Sequence, residues 1–322
     1  MHNYSDFLSL SQLNAEEFAY LLSSAAVQRN IARQDLAGKN FALIFEKPSL
    51  RTRVTFEVAI RQLGGAAILL GPQEGRLGER ETIPDMARNL SLWVDGIVAR
   101  VYRHVDLEEL ATFASIPVVN ALSDWEHPCQ ALADILTLTD VWDNLDGKTV
   151  AYIGDWNNVS RSLWKACELV GFSFRAICPK DYGPSEGEKV DWSTELEAVE
   201  GADALYTDVW ASMGQESEIE KRAEIFKPYQ VNDALMAKTG KNTYFMHCLP
   251  AHRGLEVTDS VMDSDHSLVF HQAANRLPAE KAILISVMEN HDEATNKEGG
   301  ARVLGRSVHV HHRPLAQRKL WV

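Results

Sequence analysis

Basic residues are scarce in this sequence. Lys and Arg number 32 against 45 Asp and Glu, a formal net charge of −13. That balance argues against a nucleic-acid partner, and it makes any local cluster of arginines informative, because the background field disfavours anions. Long apolar runs are missing too. None approaches the roughly 18 residues of a membrane-spanning helix, so no membrane partner is expected. Cysteine is sparse: Cys129, Cys167, Cys178 and Cys248 form no CxxC pair and no disulfide framework, the usage of reduced cytosolic thiols. The first three lie in apolar helix or strand patterns and are assigned to the core. Residues 1–7 carry neither a basic-then-apolar leader nor an Arg-rich, acid-poor stretch, so a cytoplasmic protein is expected. Glycine-rich phosphate loops are absent as well. There is no Walker A run, and Gly154-Asp155-Trp156-Asn157-Asn158 lacks the dinucleotide fingerprint although it follows a strand-like run.

What is present is alternation. A chain of 322 residues is long for one core, and two domains are expected. Strand-like runs at 42–46, 67–70, 96–101 and 117–121 alternate with helical patterns at 51–63, 84–94, 107–114 and 128–142. After a turn at Leu145-Asp146-Gly147-Lys148 the pattern restarts, with strands at 149–153, 172–178, 204–209 and 244–248 and a helix at 160–170. This rhythm predicts an α/β protein of two doubly wound parallel-sheet domains joined by helices, covering about 1–140 and 145–275. From about His291 the composition changes. Beyond Ala301 there are Arg302, Arg306, Arg313, Arg318 and Lys319 without an acid. His309, His311 and His312 lack the carboxylate or Cys company of a typical catalytic metal site, so 291–322 reads as a solvated or partner-packed extension and no metal is assigned.

Five stretches at strand ends carry candidate chemistry. In Ser49-Leu50-Arg51-Thr52-Arg53 a strand hands over to a helix whose first N–H groups, with Ser49 as cap, would face an anion, and Arg51 adds a planar fork suited to phosphate. A capped helix with surface arginines is the plainer alternative; Arg53 points elsewhere and pairs with Glu57. His127 and Gln130, around Pro128 at a helix start, form a neutral donor pair, though a His before Pro is usually a turn residue. The third stretch is 154–158 and the fourth is Asp208 to Gly214. In the fifth, His247-Cys248-Leu249-Pro250, Cys248 is either buried and inert or, with Asp208, in contact with a substrate amine.

Taken in this order, the stretches closely resemble the aspartate/ornithine carbamoyltransferase family, over about Phe41 to Val287. Ser49-Leu50-Arg51-Thr52-Arg53 followed by Phe56-Glu57, then His127-Pro128-Cys129-Gln130 and His247-Cys248-Leu249-Pro250, carry the family pattern. Asp208-Val209-Trp210-Ala211-Ser212-Met213-Gly214 and Cys248 resemble its ornithine branch. The resemblance implies carbamoyl phosphate and L-ornithine as substrates, citrulline and phosphate as products, no metal or organic cofactor, and a homotrimer or multiple of trimers with sites at subunit boundaries. It implies that Ser49, Leu50, Arg51 and Thr52 hold phosphate, and that Arg100, His127 and Thr52 polarise the carbamoyl carbonyl. Gln130 would hold the carbamoyl NH2, with Arg276 and the backbone of Cys248 and Leu249 nearby. Asp208 and Ser212 would bind the α-amino group, Asn158 and Met213 the α-carboxylate. Cys248 would contact the δ-amine and help it lose a proton. A C-terminal helix over about 277–290 would pack back on the first domain.

Four departures from the family pattern stand out: Arg76 in Glu74-Gly75-Arg76-Leu77-Gly78, a short stretch 179–200 suggesting a trimmed helix, Leu255 where relatives often carry an acid, and the tail after Glu289. Arg76 either reaches a neighbouring subunit's phosphate site or lies solvated. Three alternatives to ornithine carbamoylation remain: putrescine, an N-acylated ornithine, or a non-catalytic homologue that binds carbamoyl phosphate.

Overall fold

The structure, a computed structural model, describes residues 4–29, 32–72, 76–211 and 218–302, with side chains to residue 296. In chain order its main elements begin with α1 (Ala15–Gln28), β1 (Asn40–Phe45), α2 (Arg51–Gln62), β2 (Ala66–Leu70), α3 (Ile83–Ser91), β3 (Gly96–Arg100), α4 (His104–Phe113), β4 (Val118–Leu122) and α5 (Pro128–Val141). The second half holds β5 (Thr149–Ile153), α6 (Asn158–Val170), β6 (Ser173–Ile177), β7 (Trp192–Ser193), β8 (Ala204–Thr207), α7 (Ile219–Phe226), α8 (Asp233–Lys238), β9 (Tyr244–His247), α9 (Asp259–Met262) and α10 (Val269–Arg302).

The apolar runs form two all-parallel sheets, ordered β2-β1-β3-β4 and β7-β6-β5-β8-β9. In each sheet the winding reverses once, between β1 and β3 in the first and between β5 and β8 in the second. Loops leaving the C-terminal strand ends part at such a reversal and open a crevice. At the first reversal Phe45 stands level with Arg100. The buried Glu46 carboxylate clamps the following turns, accepting from the Leu77 and Tyr102 backbone N–H groups at 2.9 and 2.6 Å. At the second, Gly154 adopts φ +136°, a region that favours glycine, and so turns the chain from β5 toward the crevice.

Between the sheets lies a shared core. It joins Val98 and Val119 of the first sheet, Tyr152 and Tyr206 of the second, and Leu132, Ile135, Ile283 and Leu284 of α5 and α10. Residues 128–138 of α5 are all buried, as the nearly all-round apolar and neutral sequence of that helix requires. Separate apolar clusters cover the outer face of each sheet. Cys129, Cys167 and Cys178 are buried free thiols. Among the described residues no helix is long and apolar enough to cross a membrane.

Two expectations change. The C-terminal helix begins at Val269, not near 277, and continues to Arg302 with Pro278 inside it. Pro removes one hydrogen bond, and packing of α10 against α1, α2 and α5 outweighs that loss. Ser49 is not the cap of α2: Leu50 occupies that position without a side-chain cap bond. The Ser49 hydroxyl instead accepts from Arg100 Nη1 at 3.3 Å. Between β6 and β8 the chain makes only β7 and a short 3-10 turn at Leu196–Val199, so this crossover has no α-helix. His309, His311 and His312 lie outside the described residues.

Candidate active site

The crevice is a cavity of about 700 Å³ between the two domains. Ser49, Leu50, Arg51, Thr52, Arg100, His127 and Gln130 from the first domain, with Arg276 from α10, line one end; Asn158, Asp208, Cys248 and Leu249 from the second domain line the other. Arg76 is not among the lining residues. Its half-exposed guanidinium pairs with Glu79 at 2.9 Å and lies 5.6 Å from the Tyr102 ring centre. Ser212 and Met213 lie outside the described residues.

The first end is a convergence of guanidiniums. The first intrahelical bond of α2 runs from Val54 N–H to Leu50 O, which leaves the N–H groups of residues 51–53 without intrahelical acceptors. Burial lowers the pKa of Arg51, and the charge of Arg276 lowers it further. Arg100 is pushed down to about 10 by burial and by the charges of Arg276 and Arg51. Burial works most strongly against Arg276, yet Glu280 together with the other acidic groups around it leaves its pKa raised. Three guanidiniums that disfavour one another's charge, at a helix N-terminus, are complementary to a polyanion.

Arg276 is fixed from several sides. It donates to Gln130 Oε1 and Glu280 Oε1 at 2.7 Å each and to Thr52 Oγ1 at 3.3 Å. Gln130 in turn donates from Nε2 to Asp134 Oδ1 at 2.7 Å. His127 starts α5, and its backbone N–H is held by Ser162 Oγ at 2.8 Å. Burial, then the charges of Arg276, Arg100 and Arg51, drop the His127 pKa well below its ordinary value. The imidazole is therefore neutral, and it can donate one hydrogen bond to an oxygen without adding a cation.

The other end is anionic. Asp208, just past β8, accepts from Asn157 Nδ2 at 3.0 Å and from the Cys248 thiol at 3.1 Å. Asn157 is also the cap of α6, where its Oδ1 accepts from Val159 and Ser160 N–H groups. Burial, then the charge and hydrogen bond of Asp208, hold the Cys248 thiol pKa well above its ordinary value. The thiol thus stands beside Asp208 as a hydrogen-bond donor in the cleft. Asn158 donates to Ser123 O at 2.7 Å across the domain boundary, leaving its second N–H. Leu249 adopts φ +58°, and its N–H donates to His247 Nδ1 at 2.8 Å. A branched residue held in that region commonly marks a functional turn.

Sequence reasoning gave no role to Asn157, Asp155, Asp134, Gln272 or Glu280. Asp155 forms a buried ion pair with Arg222 at 2.9 Å; burial raises its pKa to about 6 despite that partner. Asn157 and Asp155 stand in the 154–158 stretch, so position after a strand was the available signal. Asp134, Gln272 and Glu280 stand buried on α5 and α10 behind the lining residues, where no local motif distinguishes them.

Such a crevice defines a class, the two-domain α/β enzyme whose site lies between two parallel sheets. The chain matches the models "Aspartate/ornithine carbamoyltransferase, carbamoyl-P binding domain" over residues 5–140 and "Aspartate/ornithine carbamoyltransferase, Asp/Orn binding domain" over 146–287. It belongs to the aspartate/ornithine carbamoyltransferase family. Ornithine carbamoyltransferase of Shewanella oneidensis is 46% identical over 297 residues, covering 87% of this chain and 98% of the relative. The solved ornithine carbamoyltransferase of Pyrococcus furiosus superposes with TM-score 0.84 at 46% identity, covering 88% of this chain and 97% of that one. That of Thermus thermophilus gives 0.83 at 44% identity, covering 88% and 99%.

Proposed function

We propose that this protein transfers the carbamoyl group of carbamoyl phosphate to the δ-amine of L-ornithine, giving L-citrulline and phosphate. The observation that carries the reading is the polarity of one cleft, with Arg51, Arg100 and Arg276 at one end and Asp208 at the other. Phosphate binds at the N-terminus of α2 through Ser49, Arg51, Thr52 and the backbone there. Arg100, neutral His127 and Thr52 face the carbamoyl oxygen, and Gln130 holds the NH2. The free amine attacks the carbonyl carbon, the C–N bond forms, the bond to the phosphate oxygen breaks with its electron pair on the phosphate, and the proton released from the nitrogen leaves with that phosphate. Donors already aimed at the carbonyl and leaving phosphate stabilise the developing charge, while the fixed geometry supplies proximity.

Asp208 takes the α-ammonium, and Ser212 completes that subsite. Asn158 with Met213 takes the α-carboxylate. The Cys248 thiol stands beside the arriving chain as a neutral contact. The amine must lose a proton, because its conjugate acid has a pKa of about 10, so turnover should rise with pH on the acid side. The protein works in the cytoplasm as a homotrimer, with Arg76 reaching the phosphate subsite of the adjacent subunit. Its half-exposed guanidinium outside its own cleft supports that placement.

Steady-state rates with carbamoyl phosphate and a panel of amines test the reading. Ornithine should exceed putrescine and N-acetylornithine by at least about thirtyfold in kcat/KM, since a charge pair lost from a desolvated site costs about 2–5 kcal/mol. N-acetylornithine as the best substrate would remove the α-ammonium role of Asp208.

A further inference from the structure

Behind the cleft, an unbroken line of buried hydrogen bonds joins its two ends. From the phosphate corner it runs from Thr52 through Arg276 to Gln130, with donor–acceptor distances of 3.3 and 2.7 Å. Gln130 Nε2 donates to Asp134 Oδ1 at 2.7 Å, and Gln272 Nε2 donates to the same oxygen, also at 2.7 Å. The other end of Gln272 accepts the backbone N–H of His247 at 3.1 Å. His247 ends β9 and immediately precedes Cys248 and Leu249 on the amine side. Asp134 is 0% and Gln272 1% exposed, and neither lines the cleft.

We propose that Asp134 and Gln272 are positioning residues that couple occupancy of the carbamoyl end of the cleft to affinity at the amine end. The inference rests on the substrate assignment above and concerns residues that touch neither substrate. Gln130 Oε1 is held by Arg276 and is also the acceptor facing the carbamoyl NH2. A carbamoyl group there polarises or shifts the Gln130 amide, whose NH2 is anchored on Asp134. Asp134 shares one oxygen between Gln130 and Gln272, so a change in one bond alters the other. Gln272 passes that change to the His247 backbone and thus to the turn holding Cys248 and Leu249. A neutral, apolar pair of similar volume would fill the same space and carry no such link. Hydrogen bonds in a dry interior strengthen one another along a chain, and each orphaned member is penalised. Coupling of two ligands is a free energy that a link of this kind can hold.

The test is calorimetric titration with norvaline, the ornithine skeleton without its δ-amine, in the presence and absence of carbamoyl phosphate. Wild type, Gln272→Met, Asp134→Asn and Asp134→Leu are compared. In wild type carbamoyl phosphate should tighten norvaline binding by about tenfold or more, within the usual range for coupled sites. Gln272→Met, which keeps volume but removes all three side-chain bonds of Gln272, the one to the Tyr206 hydroxyl at 3.0 Å included, should bind carbamoyl phosphate alone within about threefold of wild type while the tightening falls below about twofold. A tightening that persists at the wild-type level in Gln272→Met overturns the proposal.

Asp134→Asn separates linkage from charge: its amide oxygen still accepts from Gln130 and Gln272, so the tightening should stay within about twofold of wild type, whereas Asp134→Leu removes the shared oxygen and should lose it. A tightening kept by a folded Asp134→Leu, or abolished by Asp134→Asn, counts against the proposal. If the variants fail to fold, hydrogen exchange on wild type decides. Carbamoyl phosphate alone should slow exchange of the His247 amide, and an unchanged rate overturns the link. Wild type that binds neither carbamoyl phosphate nor norvaline would refute the substrate assignment itself, a distinct result.

Discussion

Asn157 uses its two polar atoms in different directions. Oδ1 closes the N-terminus of α6, and Nδ2 orients Asp208 from 3.0 Å. Asp serves as well as Asn at a helix cap, so Asn157→Asp should leave folding intact. It places a second carboxylate against Asp208, however, and like charges in contact repel by several kcal/mol at an effective dielectric of about 20. The KM for ornithine should rise at least about tenfold as the pair takes up a proton, with carbamoyl phosphate affinity nearly unchanged. Steady-state kinetics with each substrate varied in turn measure both, and an unchanged ornithine KM would detach Asp208 from the amine. His127 shows the same economy of charge. Its neutrality follows from burial among three arginines, and no feature of its own sequence neighbourhood gives that state.

Helices α5 and α10 carry the groups that the amino-acid sequence left obscure. The strands other than β7, and α2 to α6, were legible to within a few residues, because parallel strands are short apolar runs and their helices show one apolar face. The anion corner was legible because Ser49 to Arg53 is local. By contrast, Asp134 lies in a helix buried all round, where a polar residue at helical spacing gives no hint of its partners. Pro278 masked α10, since Pro usually marks a helix start. Two carboxyls near Arg276 now have a consequence for stability. Burial raises Glu280 from its ordinary 4.5 to about 7 and Asp134 from 3.8 to about 7. The folded chain thus keeps protons that the unfolded chain has released. Their contribution is complete below about pH 4 and is lost as pH rises through about 7. In urea titrations the advantage of wild type over Glu280→Gln should therefore shrink between about pH 5 and pH 8, by at most about 1.4 kcal/mol per pH unit. An advantage that grows over this range would mean that Glu280 is ionised in the fold.

Assembly is the scale at which Arg76 acts in the proposed homotrimer. A chain carrying Arg76→Ala and another carrying Arg51→Gln should each be impaired. If Arg76 works in the neighbouring site, subunit exchange creates some sites with both arginines intact, and activity should rise above the mean of the parents. Mixing that restores nothing, or a fully active Arg76→Ala protein, removes the trans assignment.

The long last helix also sets an order in time. Gln272, Arg276 and Glu280 all arrive with α10, after both sheets are complete in the sequence. A ribosome that has delivered every strand has therefore made two walls without the guanidinium that joins them. Until α10 emerges and docks between α1, α2 and α5, the nascent chain has neither its shared core closed nor a finished seat for the activated phosphate. Capacity for transfer should therefore switch on late and abruptly during synthesis.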